Sequence, residues 1–455
     1  MLMLTPPFQG PDEQNHLYRA YAISTGEWEV STATARRGGF VPSSLHTMFT
    51  SFEALRWHNQ QQTRWDSVRQ YLSVPLRPER TTFVDYPNTA VYPAPVYLPA
   101  AAALWLARGI NLPTLPTLWL ARAAGLLCWL GAGALTLTLL PLARWLFAAL
   151  LLLPMTVFIH SVVSADTVTN CLALVSIAFL LKLALGDEQQ IGPLQLFVLL
   201  LLGVALATAK LVYIPLLLLG VIIPAGRFTL PGGKALCATL ITLVVVATVS
   251  FWSVRSMEIY LPRAAYEPTA LKYDLPLPEG ADVVAQRALL AEQPGRLIRA
   301  VVTSAVDAAD WYLQAYIGLF GWFDTQLPAA LVVLAYCWLL AIALSGGGDQ
   351  ASGVALVFSQ RAVCVLIGIL CFGLVVFSQL LSWMPVGATT ISILQGRYFI
   401  PFAPLLFLVL YRERSRPPSH WLPLLTIGGA VPLLLYSTYS LYLRYYVAWP
   451  PDSIF

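Results

Sequence analysis

Two acidic residues open a polar segment near the start of the chain. In PPFQGPDEQNHLYRAYAISTGEW, residues 6–28, Asp12 and Glu13 follow a proline and suit the positive end of a helix dipole. At helical spacing, Asp12, His16 and Arg19 share one face, whereas Glu13 falls on a neighbouring face. Either carboxylate could act as a general base, and the simpler alternative is an acidic helix start with an internal ion pair.

A further carboxylate, Asp166, interrupts apolar sequence within HSVVSADTVTN. In the simpler interpretation, Ser164 or Asp166 caps the helix that follows. The other interpretation depends on its expected location on the same membrane side as Asp12. Two carboxylates that converge there could hold a divalent cation, Mg²⁺ or Mn²⁺, through oxygen ligands, or one could tune the basicity of the other.

Three basic residues at the ends of apolar runs could bind an anionic lipid head group. Lys210, in ATAKLVYIP, could bind a phosphate or simply extend to the membrane interface. Arg397, in ILQGRYFIP, could hold a phosphate through two parallel hydrogen bonds, and Arg122 is a third candidate. A carboxylate can take a proton from an incoming hydroxyl, and cations can stabilise a departing phosphate. Together these residues suit the transfer of a group from a lipid phosphate to a hydroxyl.

The composition indicates that membrane-spanning helices must position these residues. Hydrophobic residues make up 58% of the 455 and charged residues 11%, against roughly a quarter charged in a soluble domain. The net charge of +4 is small and spread thinly, which does not favour nucleic acid as a partner. The six cysteines lie in apolar runs without a CxxC pair and are interpreted as small buried residues.

Apolar runs of about 20 residues, long enough to span a bilayer, follow a polar N-terminal segment. The sequence therefore predicts an all-α integral membrane protein with about ten transmembrane helices, at 114–140, 145–163, 167–185, 193–210, 211–226, 234–254, 327–345, 361–383, 398–411 and 421–443. The proline-rich run 93–108 is predicted to lie along the membrane surface. Segment 276–300 predicts a turn, a short helix and an amphipathic stretch that re-enters the membrane near Trp311.

The distribution of Arg and Lys predicts the orientation. If 114–140 runs from outside to inside, the short outer loops hold Lys210 and Arg397, and the inner loops hold Arg144, Lys182, Arg227, Lys234, Arg361, Arg412, Arg414 and Arg416. The predicted domains are a first periplasmic loop, an N-terminal transmembrane module, a second periplasmic loop and a C-terminal transmembrane module, at 1–113, 114–254, 255–326 and 327–455. An outside N-terminal domain needs a helix to carry it across, so we expect a spanning helix upstream of Met1 that ends in MLMLT.

The sequence is similar to the DUF2142 group of polytopic bacterial membrane proteins, which belong with the GT-C glycosyltransferases. The resemblance is collinear over nearly the whole chain, and its most specific pieces are PDE-x-x-H at Asp12 and GRY-x-x-P at Arg397. YPAPVYLPA (92–100), LLPMTVFIHSVVSADTVTN, LATAKLVYIPL and QGRYFIPFAPLLFL also match. Two departures are the missing first spanning helix and Leu211, which follows Lys210 where the group has proline.

The resemblance implies a GT-C-like bundle with juxtamembrane helices in a large first outer loop and a polyprenyl-phosphate-linked sugar as donor. It implies that Asp12 or Glu13 is the base, with Asp12 preferred, and that Asp166 matches an aspartate of the second outer loop. We assign the donor phosphate to Lys210, Arg397 and Arg122. The supporting residues of this predicted site are His16, Arg19, Tyr213 and Tyr398.

Three functions remain open. The first is an inverting glycosyltransferase of the bacterial inner membrane, whose active site faces the periplasm and which transfers sugar to a surface glycan, a lipid-linked glycan or a protein. The second is a transporter or flippase of lipid-linked saccharide, which usually has ionisable residues at the bilayer midplane and repeated halves; the sequence shows neither. The third is a non-catalytic membrane scaffold, in which Asp12→Asn would change neither activity nor lipid binding.

Overall fold

The structure is a computed structural model that describes residues 1–187, 190–272, 276–346, 355–391, 394–412 and 421–447. Within these ranges the α-helices, named α1 to α18 in chain order, are Glu13–Ser24, Ser43–Phe52, Trp65–Arg69, Pro87–Ala90, Leu98–Gly109, Thr114–Leu139, Arg144–Leu151, Pro154–His160, Asp166–Leu185, Pro193–Ala209, Gly233–Ile259, Val283–Glu292, Gly295–Asp307, Ala309–Gly318, Ala329–Ser345, Phe358–Ser382, Ala403–Leu410 and Trp421–Tyr446.

Short 3₁₀ segments and two small sheets connect these helices. The 3₁₀ segments are Glu53–Leu55, Gln70–Leu72, Ala94–Tyr97, Leu211–Ile222, Ala225–Arg227, Arg263–Ala265, Ala270–Lys272 and Gly396–Phe399. The strands are β1 to β4, at Gly38–Pro42, Thr81–Asp85, Leu319–Phe320 and Thr325–Gln326. Strands β1 and β2 pair antiparallel with Gly38 opposite Asp85, and β3 and β4 also pair antiparallel.

Five helices in the described parts of the chain are long and apolar enough to cross a membrane, namely α6, α9, α11, α16 and α18. Shorter apolar helices are α10, α15 and the 3₁₀ segment Leu211–Ile222. Helix α11 exposes large apolar side chains such as Leu243 and Phe251, which a bilayer would cover. The predicted class, an all-α membrane protein, is confirmed.

Three of the predicted spans are not single α-helices. The run 145–163 is divided into α7 and α8, because Pro154 lacks a backbone N–H and begins a new helix. The run 398–411 consists of the end of a 3₁₀ turn followed by the short helix α17. The span predicted at 211–226 is largely 3₁₀ and contains Pro215. Of the basic residues in the predicted inner loops, Arg414 and Arg416 lie outside the described residues.

The two predicted periplasmic loops, 1–113 and 255–326, contact each other. The hydroxyl of Tyr266 accepts a hydrogen bond from the backbone N–H of Arg37 at 2.8 Å and lies 2.7 Å from Oδ1 of Asp85. In the second segment, α12 is the short helix predicted within 276–300, α13 begins where the amphipathic stretch is predicted, and α14, which contains Trp311, follows. The run 93–108 forms a 3₁₀ turn and then α5, which packs against α1 and α6.

A buried ion pair connects the last described helix, α18, to both of these loops. Arg444, on α18, lies 2.6 Å from Oδ2 of Asp324, and both side chains are buried. The same guanidinium donates to the carbonyl oxygens of Leu55 and His58, in the N-terminal segment. Because an unpaired buried charge is costly, this pair fixes α18 and β4 relative to the N-terminal segment.

The cysteines are less uniformly buried than the sequence predicts. Cys337 is exposed and Cys128 is half-buried, because the outer faces of α15 and α6 are open on the side that a bilayer would cover. Cys128 and Cys171 lie on the adjacent helices α6 and α9, with 3.9 Å between their sulfur atoms. All six thiols are free.

Candidate functional site

Asp12 lies immediately before α1 and not within it. Its φ of 57° is left-handed, a conformation in which aspartate is enriched among non-glycine residues. Its carboxylate makes no capping bond to α1 and instead accepts a hydrogen bond from the side-chain amide of Asn88, 3.2 Å from Oδ1. The backbone leaves the helical path at Asp12, so the helical face predicted for Asp12, His16 and Arg19 is formed only in part: Asp12 and His16 line one cavity, and Arg19 bonds the loop after α1 instead.

Arg397 bridges the two carboxylates that the sequence predicts to converge. Its Nη2 lies 3.1 Å from Oδ2 of Asp12, and its Nε lies 3.3 Å from Oδ2 of Asp166. The turn that carries Arg397 packs tightly on α14, since a Cβ added at Gly396 would lie 2.1 Å from the backbone carbonyl of Ala315. Glycine at this position therefore allows the guanidinium to reach both carboxylates.

Lys210 approaches Asp166 from the other side. Helix α10 ends at Ala209, and the extended backbone of Lys210 places its Nζ 3.1 Å from Oδ1 of Asp166. The ammonium also lies 4.3 Å from the ring centroid of Tyr398, within the range of a cation–π contact. The hydroxyl of Tyr213 donates to the backbone carbonyl of Tyr398 at 3.0 Å, which fixes that ring's backbone. Both tyrosines therefore support the cluster.

The four charged residues Asp12, Asp166, Lys210 and Arg397 line one cavity of about 330 Å³. We call these four the charged cluster. The side chains of Asp12 and Lys210 are each 17% exposed, whereas those of Asp166 and Arg397 are 8% and 4% exposed. Within the charged cluster, a ligand that enters the cavity therefore meets the Asp12 carboxylate and the Lys210 ammonium first.

His16 lies beside the charged cluster as a neutral base. Its Nδ1 is 2.8 Å from the hydroxyl oxygen of Tyr97. Burial lowers the pKa of His16 to about 4, and the nearby carboxylate of Asp12 offsets only part of that effect. Because the imidazole is uncharged at neutral pH, it adds no positive charge to the cavity.

Glu13 and Arg122 form a separate, fully buried pair. Nε and Nη2 of Arg122 each lie 2.7 Å from an oxygen of Glu13, and the backbone N–H of Val163 also donates to that carboxylate. The other N–H groups of Arg122 donate to the carbonyl oxygens of Leu2, Thr5 and Pro6. A guanidinium has five N–H donors, and here each has an acceptor. The structure thus brings these two predicted site residues together, away from the cavity, with no donor left for a phosphate.

Arg19 also lies apart from the charged cluster. Its guanidinium donates to the backbone carbonyls of Glu27 and Trp28, at 3.1 and 2.7 Å. It therefore fixes the loop after α1. Sequence reasoning missed Asn88, which bonds Asp12, and Gln379, which lines the cavity from α16. The second had a signal, because a glutamine interrupts the apolar run 361–383.

The charged cluster does not fit a divalent cation. Across the described ranges, no group of three His, Cys, Asp or Glu side chains could hold a metal ion. Each oxygen of Asp166 already faces a cationic side chain, Lys210 or Arg397. A third positive centre would be repelled there, whereas an anion that carries several oxygens would be attracted. The positive charge that a metal would supply comes from these two side chains.

The comparisons with known proteins identify a family but no individual relative. A family model described as "Predicted membrane protein (DUF2142)" matches residues 1–406. This range contains every residue of the charged cluster. No curated protein and no solved structure matches the chain.

Proposed function

The chain belongs to the DUF2142 family of predicted membrane proteins, and we propose that it is a GT-C-type glycosyltransferase that uses a polyprenyl-phosphate-linked sugar as donor. One observation carries this proposal. Two cations from the ends of distant apolar segments and an accessible carboxylate from the N-terminal polar segment meet in one cavity of a membrane protein. Such a cavity suits a ligand with an anionic head and an apolar tail.

The cations would hold the donor phosphate. An ammonium has three N–H donors, and Asp166 takes one from Lys210. The guanidinium of Arg397 can offer a pair of N–H groups to phosphate oxygens if its contact with Asp12 is exchanged for one with the ligand. Asp166, which faces both cations, would keep them in position. A phosphate that leaves with an extra negative charge is stabilised by the same contacts.

Asp12 would act as the base. It is the more exposed of the two carboxylates, and both oxygens of Asp166 face cations. The acceptor hydroxyl gives its proton to Asp12 as its oxygen bonds to the anomeric carbon. The bond between that carbon and the phosphate oxygen breaks, the phosphate keeps the electron pair, and the configuration inverts. Glu13 is fully buried against Arg122, so we assign it a structural role.

The proposed location follows from the charge distribution of the loops. We place the cavity at the periplasmic side of the bacterial inner membrane, in a multi-pass protein. There it would meet a lipid-linked donor and an acceptor that is a surface glycan, a lipid-linked glycan or a protein. A flippase would bind the same donor and leave its glycosidic bond intact, so release of prenyl phosphate separates the two functions.

Binding of a bare prenyl phosphate tests the head-group site. In purified protein in lipid nanodiscs, we expect farnesyl phosphate to bind the wild type and to bind Lys210→Ala about tenfold or more weakly, because one charge-assisted contact is lost. Lys234→Ala is the matched control, since Lys234 donates to the carbonyls of Val221 and Ile223 and lies outside the cavity. Equal affinity in Lys210→Ala and the wild type would refute the assignment.

A further inference from the structure

Two long apolar helices, α11 and α16, contribute polar and aromatic side chains to the lining of the same cavity. Helix α11 contributes Trp252 and Ser256, and α16 contributes Ser378, Gln379 and Ser382. Polar residues in membrane-spanning segments are costly and are typical of ligand sites. We call Trp252, Ser378 and Gln379 the neutral wall.

Some of these polar groups already have partners and others do not. The hydroxyls of Ser256 and Ser382 each donate, at 2.8 Å, to a carbonyl four residues earlier in the same helix. In contrast, none of the described residues hydrogen-bonds the side-chain amide of Gln379, which is half-buried and lines the cavity. The Gln379 amide can therefore hydrogen-bond a ligand that enters the cavity.

The neutral wall carries no ionisable side chain. The adjacent cation on α11, Arg255, bonds to Glu29 and Glu258 instead of facing the cavity. Another cation that lines the cavity, Arg263, lies 3.4 Å from Glu279 and donates to the carbonyl of Leu277. The Arg263 charge is offset by Glu279, and the three residues of the neutral wall offer a carboxylate or an amine on the sugar no counter-charge of their own.

We propose that the neutral wall recognises the sugar of the donor and selects an uncharged sugar. This inference rests on the proposed function and names its substrate class. With the phosphate held by Lys210 and Arg397, the sugar occupies the part of the cavity that α11 and α16 line. The Gln379 amide offers two N–H donors and a carbonyl acceptor to neighbouring hydroxyls. The indole of Trp252 supplies an apolar, polarisable surface for the C–H face of the ring.

Sugar-dependent binding is the property to measure. The probes are farnesyl phosphate alone and its glucosyl, galactosyl, mannosyl and glucuronyl esters, with wild type and variants in nanodiscs. We expect at least one neutral hexose ester to bind the wild type about tenfold more tightly than the bare phosphate does, and the glucuronyl ester to gain nothing. Gln379→Ala should remove most of the gain while its affinity for the bare phosphate stays at the wild-type value.

Two controls keep a folding defect separate from a lost contact. Gln360→Ala makes the same substitution at the other end of α16, where the Gln360 side chain accepts a hydrogen bond from the N–H of Val357. It should bind every probe as the wild type does. Trp252→Phe retains an aromatic ring, so it should keep more of the gain than Trp252→Ala.

The outcomes distinguish the two proposals. If the wild type binds the bare phosphate, and Gln379→Ala weakens all probes equally or none, the neutral wall is refuted and the proposed function stands. A glucuronyl ester that binds more tightly than every neutral ester would also refute it. If the wild type binds neither the bare phosphate nor any ester, the proposed function fails and the sugar specificity fails with it.

Discussion

The guanidinium of Arg397 lies 3.1 Å from a carboxylate oxygen of Asp12, although 385 residues separate the two along the chain. The contact joins the residue that precedes α1 to the turn that precedes α17. The same guanidinium reaches Asp166 at the start of α9, which also pairs with Lys210. Two positive and two negative charges thus balance within the charged cluster, where any one of them alone would be costly.

The structural role of Glu13 predicts a large loss of stability on its removal. Glu13→Ala leaves the buried guanidinium of Arg122 without its counter-charge, so we expect the free energy of unfolding to fall by about 3–5 kcal/mol. Thermal or denaturant unfolding in detergent measures it. Asp66→Ala is the matched control, because Asp66 pairs with Arg69 at an exposed position and its removal should cost less than about 1 kcal/mol.

The same variant tests the choice of base. A Glu13→Ala protein that is as stable as the wild type but has lost turnover would transfer the base role from Asp12 to Glu13. A protein that is less stable yet still active once folded would support the structural role.

Spacing in the sequence predicts some of these relationships and misses others for physical reasons. Lys210 and Arg397 attract attention because a charge at the end of an apolar run is costly unless it has a use. The Asp12 and Glu13 side chains lie in different sites because the φ of Asp12 is left-handed. A prediction from helical spacing assumes a regular helical φ at every residue and therefore misses this difference. The pairing of Glu13 with Arg122 depends on how α1 packs near α6, and no local pattern reports such a contact.

The fold class is accessible from the sequence for a similar reason. Apolar runs must lie in a bilayer whatever their tertiary packing, so their existence is predicted from composition alone. The secondary structure within an apolar run is not predicted by composition. The division of 145–163 into two helices is signalled only by Pro154, and the outcome depends on how the neighbouring helices accommodate the freed backbone groups.

Acid should destabilise the protein through His16. Burial lowers the pKa of His16 from 6.5 to about 4, so between these values the unfolded chain binds a proton that the folded protein does not. The free energy of unfolding therefore falls as the pH decreases from about 6.5 to about 4, and this contribution is fully present above pH 6.5. His16→Gln should have a shallower pH dependence in that window, as measured by thermal unfolding. An unchanged slope would contradict the pKa shift.

The turn at Gly396 should be intolerant of a side chain. In Gly396→Ala the new Cβ would collide with the backbone of Ala315, so the turn must move and Arg397 with it. We expect farnesyl phosphate to bind this variant about tenfold or more weakly, because the guanidinium no longer reaches the cavity at the same place. Gly428→Ala, on α18, meets open space and should bind as the wild type does. Wild-type affinity in Gly396→Ala would show that the position of Arg397 does not matter.

Removal of divalent cations should leave donor binding intact. Lys210 and Arg397 supply the positive charge of the cavity, and both oxygens of Asp166 face them. Farnesyl phosphate should therefore bind equally well, within about twofold, in the presence of a chelator and in excess Mg²⁺ or Mn²⁺. A strong requirement for either ion would mean that Asp12 and Asp166 rearrange around a metal in the working protein.

Turnover by Asp12→Asn tests the central claim most directly. Purified wild type and variant are given farnesyl-phosphate hexoses with an extract of membrane lipids and glycans as acceptor, and released farnesyl phosphate is measured. We expect Asp12→Asn to turn over about 10²- to 10⁴-fold more slowly, because an amide cannot accept the proton, while farnesyl phosphate still binds. Asp66→Asn, at an exposed ion pair with Arg69, is the control and should retain full activity. Wild-type turnover by Asp12→Asn would contradict the assignment of Asp12 as the base of a glycosyl transfer.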